Sequence, residues 1–243
     1  MSEDKKEVAK KENTELAKAA PGRGFEEGVS QEELIIPRAK LLQALSPELE
    51  DNPDLKAGMI INSVTGEVLP SVFVPVFKFT QFIRFNPRES KAPGFNPDFG
   101  PGALVWRTND PNDPRVLAET KFSDNGEKPL ATRFLNFFSY FEGCEMPVII
   151  SFSNTSFKAG KRLMSLARFR GGDMFSKQYE LASKKESNDK GTFYTLTVKP
   201  TGEAKENSVQ TAERWWAEYG KKSADLQVHE DEGGETETGS RPF

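Results

Sequence analysis

Two nearly continuous apolar runs, Phe134–Phe141 and Pro147–Phe152, are separated only by Glu142-Gly-Cys-Glu-Met146. Their aromatic and β-branched content suits strands buried on both sides, and the spacer is short enough for a hairpin. Phe137, Ile149 and Ile150 are therefore assigned to the core. The neighbouring segments have the same texture. Met59–Asn62 runs into the turn signature Thr65-Gly66, and Val72–Phe79 and Phe82–Phe85 read as strand. Pro75 lacks an amide proton, which confines that run to a sheet edge or a bulge. Leu104–Arg107 and Val116–Ala118 are short strand candidates. Gln178–Lys184 and Thr192–Lys199 flank Ser187-Asn-Asp-Lys-Gly191, a hairpin signal.

Helical patterns are fewer. Pro37 can open a helix over 38–45 with Leu41, Leu42 and Leu45 as its apolar face. Phe157–Arg170 places Leu163, Leu166 and Ala167 inward and its bases outward. A last helix over about Asn207–Tyr219 carries Val209, Ala212, Trp216 and Tyr219 at helical spacing, with Asn207 and Gln210 spaced as a capping box. The intervening stretch 86–102 holds Pro87, Pro93, Gly94, Pro97, Gly100, Pro101 and Gly102, a long loop of the kind that is usually functional or mobile. The predicted class is mainly β with helices (α+β). The predicted architecture is an OB-fold-like antiparallel barrel, with one helix between strands 3 and 4 and a C-terminal helix. Its strands are aligned with 72–85, 104–119, 134–152, 178–184 and 192–199, with the helix at 157–170.

Charge divides the chain into three. Residues 1–33 hold nine acids and six bases, a net of -3, and lack an apolar stripe. Residues 223–243 hold six acids and one arginine, a net of -5. The body, 34–222, holds 22 acids and 26 bases, a net of +4. We therefore expect one OB-like domain over 34–222, flanked by a disordered mixed-charge arm (1–33) and a disordered acidic tail (223–243). An acidic tail beside a basic body can compete with nucleic acid for the same groove.

Several chemistries lack their residues. The single histidine, His229, lies in the acidic tail, so neither a histidine triad nor a multi-histidine metal site is expected. There is no GxxxxGK[ST] loop and no strand-associated GxGxxG. The lone Cys144 cannot form an internal disulfide and suits a reducing cytoplasm, where it reads as a small half-buried residue. No apolar run approaches the roughly 18 residues of a membrane span, and the N-terminus has no signal-peptide pattern. The expectation is a cytoplasmic protein without membrane contact, catalytic residues, bound metal or cofactor; if phage-encoded, it would act in the host cytoplasm.

The 19 phenylalanines interleave with bases: Lys78 to Phe85, Trp106-Arg107, Arg133-Phe134, Phe157-Lys158, Arg168-Phe169-Arg170 and Phe175 to Tyr179. Single-stranded nucleic acid calls for both kinds of group, cations for phosphates and flat rings for unpaired bases. In the last strand Tyr194, Leu196 and Val198 share one side, which leaves Phe193 with Thr195, Thr197 and Lys199 on a polar side. The candidate nucleic-acid contacts are Lys78, Phe82, Arg84, Trp106, Arg107, Lys158, Lys161, Arg162, Arg168, Lys177, Phe193 and Lys199. The helix bases among them would meet phosphates and so carry no sequence specificity. The competing reading is an aromatic-rich core with ordinary solvating bases.

The acidic tail finishing on Pro242-Phe243 resembles the C-termini of bacterial single-stranded DNA-binding proteins, which end in Ile-Pro-Phe and dock replication and repair proteins. Arg241 stands where Ile is usual, and Gly239-Ser240 separates the acids from the end. With its longer body the chain is more similar to phage single-stranded DNA-binding proteins, which have an OB-fold body, an acidic tail and a terminal aromatic. The resemblance implies coating of single-stranded DNA in replication, recombination and repair. It also implies partner recruitment through Glu230, Asp231, Glu232, Pro242 and Phe243. Two other readings compete: a metal-dependent nuclease or recombination enzyme with scattered carboxylates, and an adaptor in which only the tail is functional. The oligomeric state stays open, a homodimer among the options.

Overall fold

The computed structural model describes residues 35–220 apart from 123–125, 127 and 190. Along the chain lie β1 (Ala39–Leu41), α1 (Glu48–Asp51), β2 (Ile60–Asn62), β3 (Val72–Phe85), β4 (Leu104–Thr108) and α2 (Pro114–Glu119). These are followed by β5 (Ala131–Phe141), β6 (Val148–Phe152), α3 (Phe157–Arg170), β7 (Lys177–Asn188), β8 (Gly191–Glu203) and α4 (Glu206–Tyr219). The Phe-rich hairpin forms as expected, with β5 and β6 antiparallel and Phe137 opposite Ile150. The main sheet runs β6-β5-β3-β7-β8, with β4 also on β3, and every ladder in it is antiparallel. No helix among the described residues is long and apolar enough to cross a membrane.

β3 is central because its sequence can be buried on both sides. It pairs with β5 along one edge; along the other it meets β7 at Val72 and Phe73 and β4 from Phe82 to Phe85. Pro75 sits at a bulge, where the register with β5 shifts between Pro75 and Phe77. A bulge adds one residue to one strand and so reverses its alternation. Ahead of it Phe73 faces one side; beyond it Lys78, which lies opposite Phe137, takes that side, and Phe77, opposite Phe138, takes the other.

Helices cover the two sides. α3 packs over Phe137, Phe141, Phe152, Leu181, Leu196 and Val198 in the larger core cluster. α4 packs Ala212 and Trp215 against Phe77, Phe79, Phe138 and Ile149. Phe82, Trp106, Val116 and Ala131 form a third, smaller cluster under α2. α3 sits close because Gly160 faces Phe152: a Cβ built at Gly160 would lie 2.7 Å from the Phe152 Cβ.

The α+β class holds, but the sheet does not close into a barrel. β3 and β7 share only two register pairs, after which the β7–β8 hairpin diverges as its own ribbon. Among the described residues no ladder joins β6 to β8. The segment around β1 links those two strands instead. The Pro37 carbonyl accepts from the Ile149 amide at 2.8 Å. The Gln43 side chain donates to the Tyr194 carbonyl at 2.9 Å and accepts from its amide at 2.8 Å.

Four local expectations are corrected. The helix expected over 38–45 is replaced by β1, which pairs with β2, and its apolar residues do not share a face: Leu42 is fully buried and Leu45 exposed. The strand expected at Val116–Ala118 is α2, opened by Asp113, whose side chain accepts from the Arg115 amide, and by Pro114 in the first turn. In α4 it is Trp215 that docks, while Trp216 is 44 % exposed. Asn207 does not cap that helix; its side chain accepts from the adjacent Ser208 amide. The 86–102 loop is organised around the buried Asn86. Its Nδ2 donates to the Phe99 carbonyl at 2.7 Å and to the Asn96 carbonyl at 2.9 Å, while its Oδ1 accepts from the Asn96 amide at 2.8 Å.

Candidate nucleic-acid interface

Past the Pro75 bulge, Lys78, Thr80 and Phe82 of β3 share the α3 side with Leu135 and Arg133 of β5, Arg133 lying opposite Phe82. This strip of sheet falls between the cluster under α3 and the smaller one under α2. Three cations meet there. The Arg133 guanidinium lies 5.9 Å from the Phe82 ring centroid and 5.8 Å from that of Phe157, the first residue of α3. Lys161, one turn along α3, places its Nζ 5.8 Å from the same Phe157 ring. Lys78 is half-buried in the strip, and its pKa is pushed below the usual lysine value, first by burial and then by the nearby Arg133 charge. No carboxylate among the described residues forms an ion pair with Lys78, Arg133 or Lys161. Arg133 and Lys161 are exposed and Lys78 is half-buried; like charges clustered in this way favour an incoming anion, and a phosphate offers several acceptor oxygens.

α3 extends this charge. Lys158, Arg162, Arg168 and Arg170 are exposed, and so is Phe169. Lys78, Lys158, Lys161, Arg162 and Arg168 of the expected contacts therefore gather on one side of the sheet. Arg133, Phe157 and Phe169 complete the surface and were not selected from the sequence. Each belongs to an aromatic–base pair visible there, but only the strand register and helix phase show which member faces out.

The other expected contacts are buried, paired or on the other side of the sheet. Phe82 is 5 % and Trp106 8 % exposed, so neither ring is open for stacking. Arg84 donates to Glu119 at 2.7 Å and to the Gly94 carbonyl at 3.0 Å, and Trp106 Nε1 donates to the same Glu119 carboxylate at 3.0 Å. Arg115 lies over the Trp106 ring at 5.2 Å. These contacts form a clasp that fastens α2 and the 86–102 loop to the sheet. Lys177 is ion-paired with Glu203. Arg107, opposite Ile83, is half-buried on the side away from α3. Phe193 and Lys199 also lie away from α3, opposite the acids Glu186 and Glu180. The expected partner-binding residues Glu230, Asp231, Glu232, Pro242 and Phe243 lie outside the described residues.

Among the described residues no three His, Cys, Asp or Glu side chains gather as a metal site. No curated protein and no solved structure matches the chain. A family model does: the one described as Pam3 phage gp34-like protein matches residues 5–225. With most of its length matched, the chain belongs to this family of bacteriophage proteins, the Pam3 phage gp34-like proteins.

Proposed function

We propose that this chain is a non-catalytic protein that binds single-stranded DNA without sequence specificity. It coats exposed strands during phage replication and recombination, and its acidic C-terminal tail recruits partner proteins. The observation that carries the reading is the cluster of Lys78, Arg133 and Lys161, three cations without ion pairs among the described residues, in which Arg133 and Lys161 share the Phe157 ring and Lys78 lies beside Arg133, continued along the basic side of α3. Cations arranged along a helix follow a phosphate backbone and leave base identity unread. The bacteriophage family supports a setting in which replicating DNA is exposed. Fluorescence anisotropy at low salt tests the proposal. Labelled oligo-dT should bind more tightly than a duplex of equal length, with affinity falling steeply as salt is added. Equal affinity for the two, or binding indifferent to salt, would remove it.

A further inference from the structure

Phe169 is 87 % exposed near the C-terminal end of α3, between Arg168 and Arg170. An α-helix turns about 100° per residue. Phe169 therefore projects roughly opposite the buried Gly160, and within about 20° of Lys158 and Arg162. The two flanking arginines project about 100° to either side of the ring. None of Lys158, Arg162, Arg168 and Arg170 forms an ion pair among the described residues. The helix ends immediately afterwards at Gly171, whose φ of 72° leaves the helical region. Lys158 and Arg162 thus line the side of α3 that ends on an open aromatic ring, with Arg168 and Arg170 flanking that ring.

A ring so exposed adds nothing to the core. Its flanking charges match a nucleotide, whose flat base lies between two phosphates. The geometry points to Phe169 as the stacking platform for one unpaired nucleobase, with Arg168 and Arg170 holding the adjoining phosphates. The inference rests on the single-stranded DNA-binding reading and specifies how that surface meets a base. Phe82 and Trp106 are closed by the core, and Phe157 already carries Arg133 and Lys161. Along α3, Lys158 and Phe169 are about 16 Å apart, so a strand of several nucleotides is needed to engage both.

The test titrates the full chain and its F169A and F169W variants against labelled oligo-dT and against an abasic deoxyribose-phosphate oligomer of the same length. F169A should lose about 5- to 150-fold in affinity for oligo-dT, the equivalent of one stacked base. Its affinity for the abasic strand and its salt slope should not change. F169W should recover the affinity and show an extra fluorescence quench, relative to the native chain, with oligo-dT but not with the abasic strand. If F169A binds oligo-dT as tightly as the native chain, the inference is overturned while DNA binding by the body stands, and Phe169 is left to a protein contact. If the native chain binds neither oligomer, the DNA-binding reading falls and this inference falls with it.

Discussion

Lys78 is the residue at which charge and fold oppose each other. It occupies a half-buried sheet position beside Arg133, and both burial and that neighbour hold its pKa below the ordinary 10.5. Between the lowered value and 10.5 the unfolded chain binds more protons than the folded one, so this residue makes stability rise with pH across that window. Lys78→Met should therefore raise the urea midpoint at neutral pH and flatten its rise toward about pH 10. The same substitution should weaken oligo-dT binding and reduce the log–log salt slope by about one, the share of a single phosphate contact. A variant that gains stability while losing DNA would mark Lys78 as kept for binding. Trp106 should behave in the opposite way. Trp106→Ala removes a ring from the cluster under α2 and a donor from Glu119, and should cost about 3–5 kcal/mol in urea unfolding. The protein that remains folded should bind DNA within about twofold of the native chain, because a buried ring has no base to release. Bases beside aromatics are visible in the sequence, but which rings are open depends on what covers each strand. Phe82 and Trp106 are closed by α2, an element read from the sequence as strand.

At the scale of elements, what was legible was what local pattern alone determines. Phe157–Arg170 carries Leu163, Leu166 and Ala167 on one helical face, and the Phe134–Phe152 hairpin is apolar enough to be buried in any packing, so both form as expected. β1 and α4 depend on context. Leu41, Leu42 and Leu45 suit a short helix until the Pro37 carbonyl engages the β6 edge, and a segment that short has little helical stability of its own to resist pairing. Trp215 and Trp216 differ by one helical step, and the choice between them is made by where Phe138 and Tyr140 lie, 6.0 Å and 5.5 Å from the Trp215 ring. The bulge at Pro75 matters most for the proposed function, because it turns Lys78 toward α3. The proline signalled an irregularity without showing which side each later residue would face. The seating of α3 is itself testable. Gly160→Ala gains helix propensity, yet the new methyl would lie 2.7 Å from the Phe152 Cβ. We predict a net loss of about 1–3 kcal/mol in urea unfolding, with the overpacking outweighing a propensity gain of about 1 kcal/mol. A more stable variant would show that the helix can shift outward at little cost. DNA affinity should fall as well if the line of bases moves away from Arg133.

Across the whole molecule the same charges act at longer range. The body carries a net +4, and residues 223–243 carry -5 on a segment containing one arginine. If that segment reaches the cluster of Lys78, Arg133 and Lys161 or the outer side of α3, it competes with DNA for the same cations, and the measured affinity is the difference between two attractions. Removing 223–243 should then tighten oligo-dT binding several-fold at low salt. The gain should shrink as salt rises, because screening shortens from about 30 Å at 0.01 M to about 3 Å at 1 M and weakens the tail's attraction along with the DNA's. The dependence on salt separates competition from a change in the body's own affinity: a tail that altered the fold would leave a constant ratio between the full and truncated chains at every salt concentration. Anisotropy titrations of both chains against one oligo-dT, over a series of salt concentrations, give that ratio directly. Convergence of the two curves at high salt is the expected result, and identical affinities at low salt would remove the competitor role from the tail while leaving the Lys78–Arg133–Lys161 cluster and α3 to bind DNA alone.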